Sequence, residues 1–144
     1  MATYTSILVA VDLRVTHDVY TISKALELSK MFNAKLHFIH VMEKLFGYGT
    51  VEGNVLVEME RQMAEDARKS FYDLVSRYEI TAEQLIIVSG SAKQMIVEEA
   101  KKIQADLIVV GAHAQTGLNM LVGSTASGVI NQAHCDVLTI RTVE

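Results

Sequence analysis

The residues best suited to chemistry lie in the last third of the chain. Asp106-Leu-Ile-Val-Val-Gly111 reads as a buried strand, and Ala112-His-Ala114-Gln-Thr-Gly117-Leu-Asn-Met-Leu-Val-Gly123-Ser124-Thr125 follows it. A strand that runs into a loop of glycines and small residues, and then opens a helix at Gly123-Ser124-Thr125, has the form of a phosphate cradle. The first N–H groups of a helix lack intrahelical partners and sit at the positive end of its dipole, so an anion is stabilised there. Glycine lets the backbone come close. The plainer alternative is that Gly111 and Gly117 only turn the chain while Ser124 caps a helix, and the motif by itself leaves both open.

A second chemical group is Asp12, at the end of the first strand pattern. Its carboxylate suits a ribose hydroxyl or a phosphate-bound metal, or else the N-terminus of the helix that follows. Groups that support catalysis are few. His17, His37, His40, His113 and His134 show no i, i+4 helical pairing of a metal site and no Ser or Cys nucleophile partner. His37 and His40 read as structural residues on a strand, and His113 falls in the phosphate-loop segment. Ser89-Gly90-Ser91 resembles a strand-to-helix turn but lacks the G-x-S-x-G form of a hydrolase elbow. The loop also lacks the lysine of a P-loop. An efficient enzyme is not expected, and no residue is assigned a catalytic role.

Elements that would position these groups alternate along the chain. Strand-like runs cover Ser6–Val11, Lys35–Val41, Gln84–Val88, Asp106–Gly111 and Asp136–Arg141, separated by helical patterns. That alternation is the form of a parallel sheet covered on both faces. Val15, Val19, Ile22, Leu26 and Ser29 mark one helix face, begun near Thr16 or His17-Asp18 and ended at Asn33. Ala64, Ala67, Phe71, Leu74 and Tyr78 mark a second. Ile96, Ala100 and Ile103 face inward on a third, capped near Ser91, with Glu98, Lys101 and Lys102 toward water. Val129, Ile130 and Ala133 belong to the fourth. From Met42 to about Asn54 the pattern stops, and Gly47, Gly49 and Gly53 alternate with Phe46 and Tyr48. This stretch reads as a connector or as a lid over a ligand. In open sheets of this kind, ligands bind beyond the carboxyl ends of the strands, which here carry Asp12, His40-Val41, Ser89-Gly90 and Gly111.

Composition narrows the class. The 144 residues fit a single domain, 1–144, able to bury a substantial core. The formal net charge of −4, with both signs interspersed, argues against a nucleic-acid surface. Apolar runs are strand-sized, far below the ~20 residues of a membrane span, and no signal-like N-terminus is present, so a cytoplasmic location is expected. The single cysteine, Cys135, excludes an intrachain disulfide and reads as a packed thiol. The final strand pattern is exposed to pairing by another chain, which points to a homodimer.

Taken together, these residues resemble the universal stress protein family, across essentially the whole chain. Ser6-Ile-Leu-Val-Ala-Val-Asp12-Leu13 is similar to the family's first strand and its acidic end, and Asn33-Ala-Lys-Leu-His-Phe-Ile-His-Val41 to its second strand. Ser89-Gly-Ser91, Ala105-Asp-Leu-Ile-Val-Val-Gly111 and Val129-Ile-Asn-Gln-Ala-His-Cys-Asp-Val137-Leu match later transitions. The resemblance implies an α/β fold of the adenine nucleotide alpha hydrolase type: one open five-stranded parallel sheet, order 3-2-1-4-5, helices on both faces. It also implies a dimer built through the C-terminal edge strand. For a nucleotide-binding member it assigns Asp12 to ribose or a phosphate-bound metal and backbone at Val41 to adenine. Gly111, Ala114, Gly123, Ser124 and Thr125 would hold the phosphates of ATP, with or without Mg, and Ser127 is a further phosphate contact.

The family divides on this point. One branch carries a glycine, two residues, a glycine, nine residues, then glycine and Ser/Thr. The branch resembling universal stress protein A lacks that pattern and is not expected to bind ATP. Here the second glycine is Ala114, eight residues separate it from Gly123, and Asp12-Leu13 leans toward the second branch. Two readings stay open: an ATP-dependent binding switch in the stress response with at most slow hydrolysis, and a dimeric interaction module that binds no nucleotide.

Overall fold

The computed structural model describes residues 3–13, 15–42, 53–76, 78–79, 84–114 and 124–143. Elements follow in the order β1 (Ser6–Ala10), α1 (Val15–Phe32), β2 (Lys35–Met42), α2 (Gly53–Val75), β3 (Leu85–Ser89), α3 (Ala92–Lys102), β4 (Leu107–Ala114), α4 (Ser124–Gln132) and β5 (Asp136–Val143). All strand pairs are parallel, and the sheet order is β3-β2-β1-β4-β5, as the resemblance implies.

Strand side chains alternate between faces, so each strand feeds two cores. Ile7, Val9 and Val11 join Phe38, Leu107 and Val109 on one face, covered by Ile22 and Ala25 of α1 and by Phe71, Leu74 and Val75 of α2. Phe38 and Phe71 are both fully buried, with ring centroids 5.4 Å apart. Leu8, Ile39, Ile108 and Val110 line the other face beneath Ile96 and Ala100 of α3 and Ala126 and Val129 of α4. Continuous Val/Ile/Leu runs in β1 and β4 follow from burial on both sides.

Helix ends are built as the residues allow. Asn33 takes φ +54 after α1, and Ala34 N–H returns to the Ser29 carbonyl at 3.0 Å. Gln104 takes φ +55 after α3, with Ala105 N–H on the Ala100 carbonyl at 2.8 Å and Gln104 N–H on that of Lys101 at 3.1 Å. That pair of bonds is a Schellman ending.

Several boundaries differ from expectation. β4 does not end at Gly111 but continues to Ala114, because β5 pairs with it residue by residue as far as Ala114 with Val143. α2 begins at Gly53, so Gly53 and Asn54 belong to a helix rather than to the preceding connector, and Tyr78 lies beyond its end. β1 stops at Ala10, although Val11 N–H still bonds the Ile39 carbonyl at 2.9 Å. Ser91 occupies the N-cap of α3 without a side-chain capping bond. Ile130 is exposed, the inward positions of α4 being Ala126 and Val129. Ala133 falls just past α4, its N–H closing the last turn on the Val129 carbonyl.

Candidate functional site

Unequal strand lengths make the site. β1 is matched to β2 as far as Ala10 opposite Ile39 and to β4 as far as Val9 opposite Val109. Its neighbours continue: β2 to Met42, paired there with Ser89, and β4 to Ala114, paired with Val143. The sheet therefore has a notch at the carboxyl end of β1. Two strand spacings, about 10 Å between backbone axes, separate its walls. Along β4 the edge toward β5 is used by the ladder, while from Val110 onward the edge toward the notch has no paired residue in β1.

The floor is the turn from β1 into α1, and it carries Asp12 at an exposed position. Three contacts hold this turn. The Asp18 carboxylate, in the first turn of α1 and only 3% exposed, accepts Asp12 N–H at 3.0 Å and also Leu13 N–H. His40, on the β2 wall, has its Nδ1 3.0 Å from the Val11 carbonyl oxygen. A carbonyl only accepts, so Nδ1 carries the hydrogen and donates. Leu13 sits at φ +65, which a residue with a Cβ holds only when its surroundings fix it. In the sequence Asp18 stands out only as a helix starter and His40 as a strand histidine at a carboxyl strand end, and the task they share goes unmarked because their partners lie on backbone atoms that no pattern marks.

The remaining expected residues fall as follows. Val41 is half-buried, packs toward the α3–α4 face and pairs with Val88. Gly111 lies inside β4 opposite Ile140, so it is a strand residue, as the run Asp106–Gly111 has it, and not a turn glycine. Ala114 ends the same strand. Ser124 and Thr125 are exposed in the first turn of α4, and Ser127 is half-buried one turn in. Gly123 lies outside the described residues. Asp12 thus lies just past the end of β1 and Val41 near the end of the neighbouring β2, Gly111 and Ala114 lie in β4, and Ser124, Thr125 and Ser127 begin the helix that follows β4.

One residue without a signal in the sequence is Lys93, in the first turn of α3. A Cβ built on Gly128 of α4 would stand 2.5 Å from Lys93 Cδ and 2.9 Å from its Cβ, so the lysine stem lies directly across α4. A larger side chain at position 128 would separate the two helices.

Elsewhere, a cavity of about 370 Å³ opens at the opposite end of the sheet, lined among others by Ser29, Lys35, His37, Glu79 and Gln84. Burial and then Lys35 push the His37 imidazole below its usual pKa, and its Nδ1 is buried without a partner. The lining mixes a cation with an anion, and the Gln84 amide already donates to the Leu36 carbonyl at 2.6 Å. Burial, with Asp136 and Asp106, raises the pKa of the half-buried Cys135 thiol and keeps it protonated. Among the described residues no group of three His, Cys, Asp or Glu is placed to hold a metal ion, and no helix is long and apolar enough to cross a membrane.

Comparison with known proteins gives these features a family. The model of the universal stress protein family matches residues 3–141. Universal stress protein A homolog 2 of Coxiella burnetii is 39% identical over 98% of this chain and 97% of its own. A crystal structure of a universal stress protein from Pseudomonas aeruginosa superposes with a TM-score of 0.74 at 27% identity, over 97% of this chain. The present chain spans 48% of that molecule's length. A universal stress protein solved in complex with cAMP shares the fold, at a TM-score of 0.59 and 21% identity over 96% of this chain and 98% of that one. With a family match over nearly its whole length and a relative this similar, the chain belongs to the universal stress protein family.

Proposed function

We propose that the chain is a cytoplasmic stress-response protein that binds an adenine nucleotide, ATP with or without Mg, in the notch beyond β1. It acts as a binding switch with at most slow hydrolysis. The observation that carries this reading is the notch itself: an acidic residue on a clamped floor, between β2 and β4, which both run on past the end of β1. In this assignment Asp12 meets the ribose or a phosphate-bound metal, and the Val41 backbone meets adenine. Gly111 and Ala114 of β4, Gly123, and Ser124, Thr125 and Ser127 of α4 meet the phosphates, the N-terminus of a helix favouring an anion. The family member solved with cAMP supports an adenine nucleotide as the ligand class. We further propose a homodimer through β5, the edge strand of the sheet next to β4.

A second reading has its own observation. The β4–β5 ladder runs through Ala114 and Val143, so one side of the backbone there is spent on the sheet, and the second glycine of the nucleotide-binding pattern is alanine at 114. On this reading the chain is a dimeric interaction module without nucleotide. Mass spectrometry of small molecules released from freshly purified, denatured protein, with calorimetric titration of nucleotide-free protein by Mg-ATP, separates the two. Co-purifying nucleotide or saturable micromolar binding is expected for the switch. A blank in both would leave the module. A monomeric mass by light scattering at micromolar concentration would remove the dimer from either.

A further inference from the structure

The turn that carries Asp12 is fixed through both peptide groups that flank it. In the Val11–Asp12 peptide the carbonyl oxygen receives the His40 Nδ1 hydrogen at 3.0 Å, while the Asp12 N–H donates to the Asp18 carboxylate at 3.0 Å. A trans peptide points its C=O and N–H in opposite directions, so this plane is gripped at both ends. The N–H of the next peptide, at Leu13, donates to the other oxygen of Asp18. With both planes held, φ and ψ of Asp12 are set, and so is the direction in which its Cβ leaves the floor of the notch. The left-handed φ of Leu13 is what such a double grip sustains.

The two grips differ in kind. Asp18 comes from the helix that the turn itself begins and is buried, whereas His40 comes from β2 and ties the turn to the opposite wall of the notch. We propose that His40 is a positioning residue for ligand recognition: it aims the Asp12 carboxylate at the ribose hydroxyls of a nucleotide without touching the nucleotide through that bond. This rests on the nucleotide reading above, and it adds a specificity consequence. Discrimination for an intact ribose depends on a residue whose hydrogen bond is spent on backbone.

The experiment measures Kd by calorimetry for Mg-ATP and for Mg-2′,3′-dideoxy-ATP. It uses wild type and the His40→Ala, His40→Gln, His40→Asn and Asp12→Ala variants, each checked for folding by its thermal melt. A hydroxyl bonded to a carboxylate gives wild type about a tenfold preference for ATP, the factor equivalent to ~1.4 kcal/mol. Asp12→Ala loses that preference. His40→Ala lowers it to about threefold or less, and His40→Gln, whose amide cannot occupy the Nδ1 position, does the same should the alanine variant not fold. His40→Asn places an amide N–H where Nδ1–H stood and keeps most of the preference, a rescue that loss of packing alone would not produce. An unchanged ATP to dideoxy-ATP ratio in both His40→Ala and His40→Gln, with wild type discriminating, overturns this inference and leaves the nucleotide site standing. Loss of the ratio in His40→Asn equal to that in alanine also overturns it. Wild type binding neither nucleotide removes the site and this inference together.

Discussion

Replacing Gly128 by alanine tests how tightly α3 and α4 are joined beside the notch. In an open helix the change gains about 1 kcal/mol, because alanine loses less backbone freedom than glycine. Here the new Cβ would meet Lys93 Cδ at 2.5 Å, Cβ at 2.9 Å and Cγ at 3.2 Å, against an ordinary carbon–carbon separation of about 3.5–4.0 Å. Cδ can swing aside at the cost of a rotamer change. The Lys93 Cβ cannot, since it moves only with the α3 backbone, so about 0.6 Å must come from separating the helices. Overpacking of this kind costs about 1–3 kcal/mol. Set against the helical gain, the expected net loss is about 1 kcal/mol, or about 2–4 °C in Tm for a chain of this size. Urea and thermal unfolding followed by circular dichroism measure it. The partner variant Lys93→Gly removes all three carbons, and the double variant should recover most of the loss in Gly128→Ala, giving a coupling energy of about 1–2 kcal/mol in a double-mutant cycle. A Gly128→Ala protein more stable than wild type by about 1 kcal/mol, with no coupling to position 93, would refute the close crossing.

Three further substitutions follow from the same geometry. Burial alone would raise the Asp106 carboxyl, but the N–H groups of Thr5 and Ser6 and the Thr5 hydroxyl hold it below the usual aspartate value. A depressed folded pKa contributes stability above the unfolded pKa that is lost as pH falls through the folded value. Asp106→Asn should therefore cost about 1–2 kcal/mol at pH 7, with the gap to wild type closing as urea titrations are carried below the ordinary aspartate pKa of about 3.9. Gln104→Gly at φ +55 should raise Tm by a few degrees, since relief of a left-handed side chain, about 1–2 kcal/mol, exceeds the entropy cost of glycine; a lowered Tm would refute it. Gly90→Ala should destabilise by about 1–3 kcal/mol in chemical denaturation, because Gly90 has φ +146 and a Cβ there meets Met95 Cγ at 3.2 Å.

What the sequence reveals and what it hides divide along the distance over which each feature is decided. The alternating and continuous apolar runs of the strands are local, and each of the five strands and four helices forms over its pattern, with ends that differ by a few residues. Asn33 announces the end of α1 by its own tolerance of φ > 0. The end of β4 is not local. Ala112-His113-Ala114 has weak strand propensity and reads as loop, yet eight residues of β5 pair with β4 in register and draw it on to Ala114. Gly53-Asn54 likewise reads as the end of a connector or lid but is absorbed into the first turn of a 23-residue helix. Asp18 and His40 were visible as residue types, and their shared task was not, because it is defined by two peptide groups that only the fold brings to them.

This difference bears on the departure of the loop from the nucleotide-binding pattern. A glycine matters to a phosphate loop for two separable reasons, freedom to adopt φ > 0 and absence of a Cβ. At 111 and 114 the chain is strand, in register with Ile140 and Val143, and among the described glycines it is Gly90 that has a positive φ. Conformational freedom is therefore not what position 114 requires in this protein, and alanine there imposes no backbone cost. What remains is the second reason alone, whether a residue with a Cβ is tolerated where the pattern has glycine. An alanine in place of the second glycine thus weakens the case for a nucleotide less than the sequence pattern implies. The weight shifts to whether Asp12 is held in position to bind.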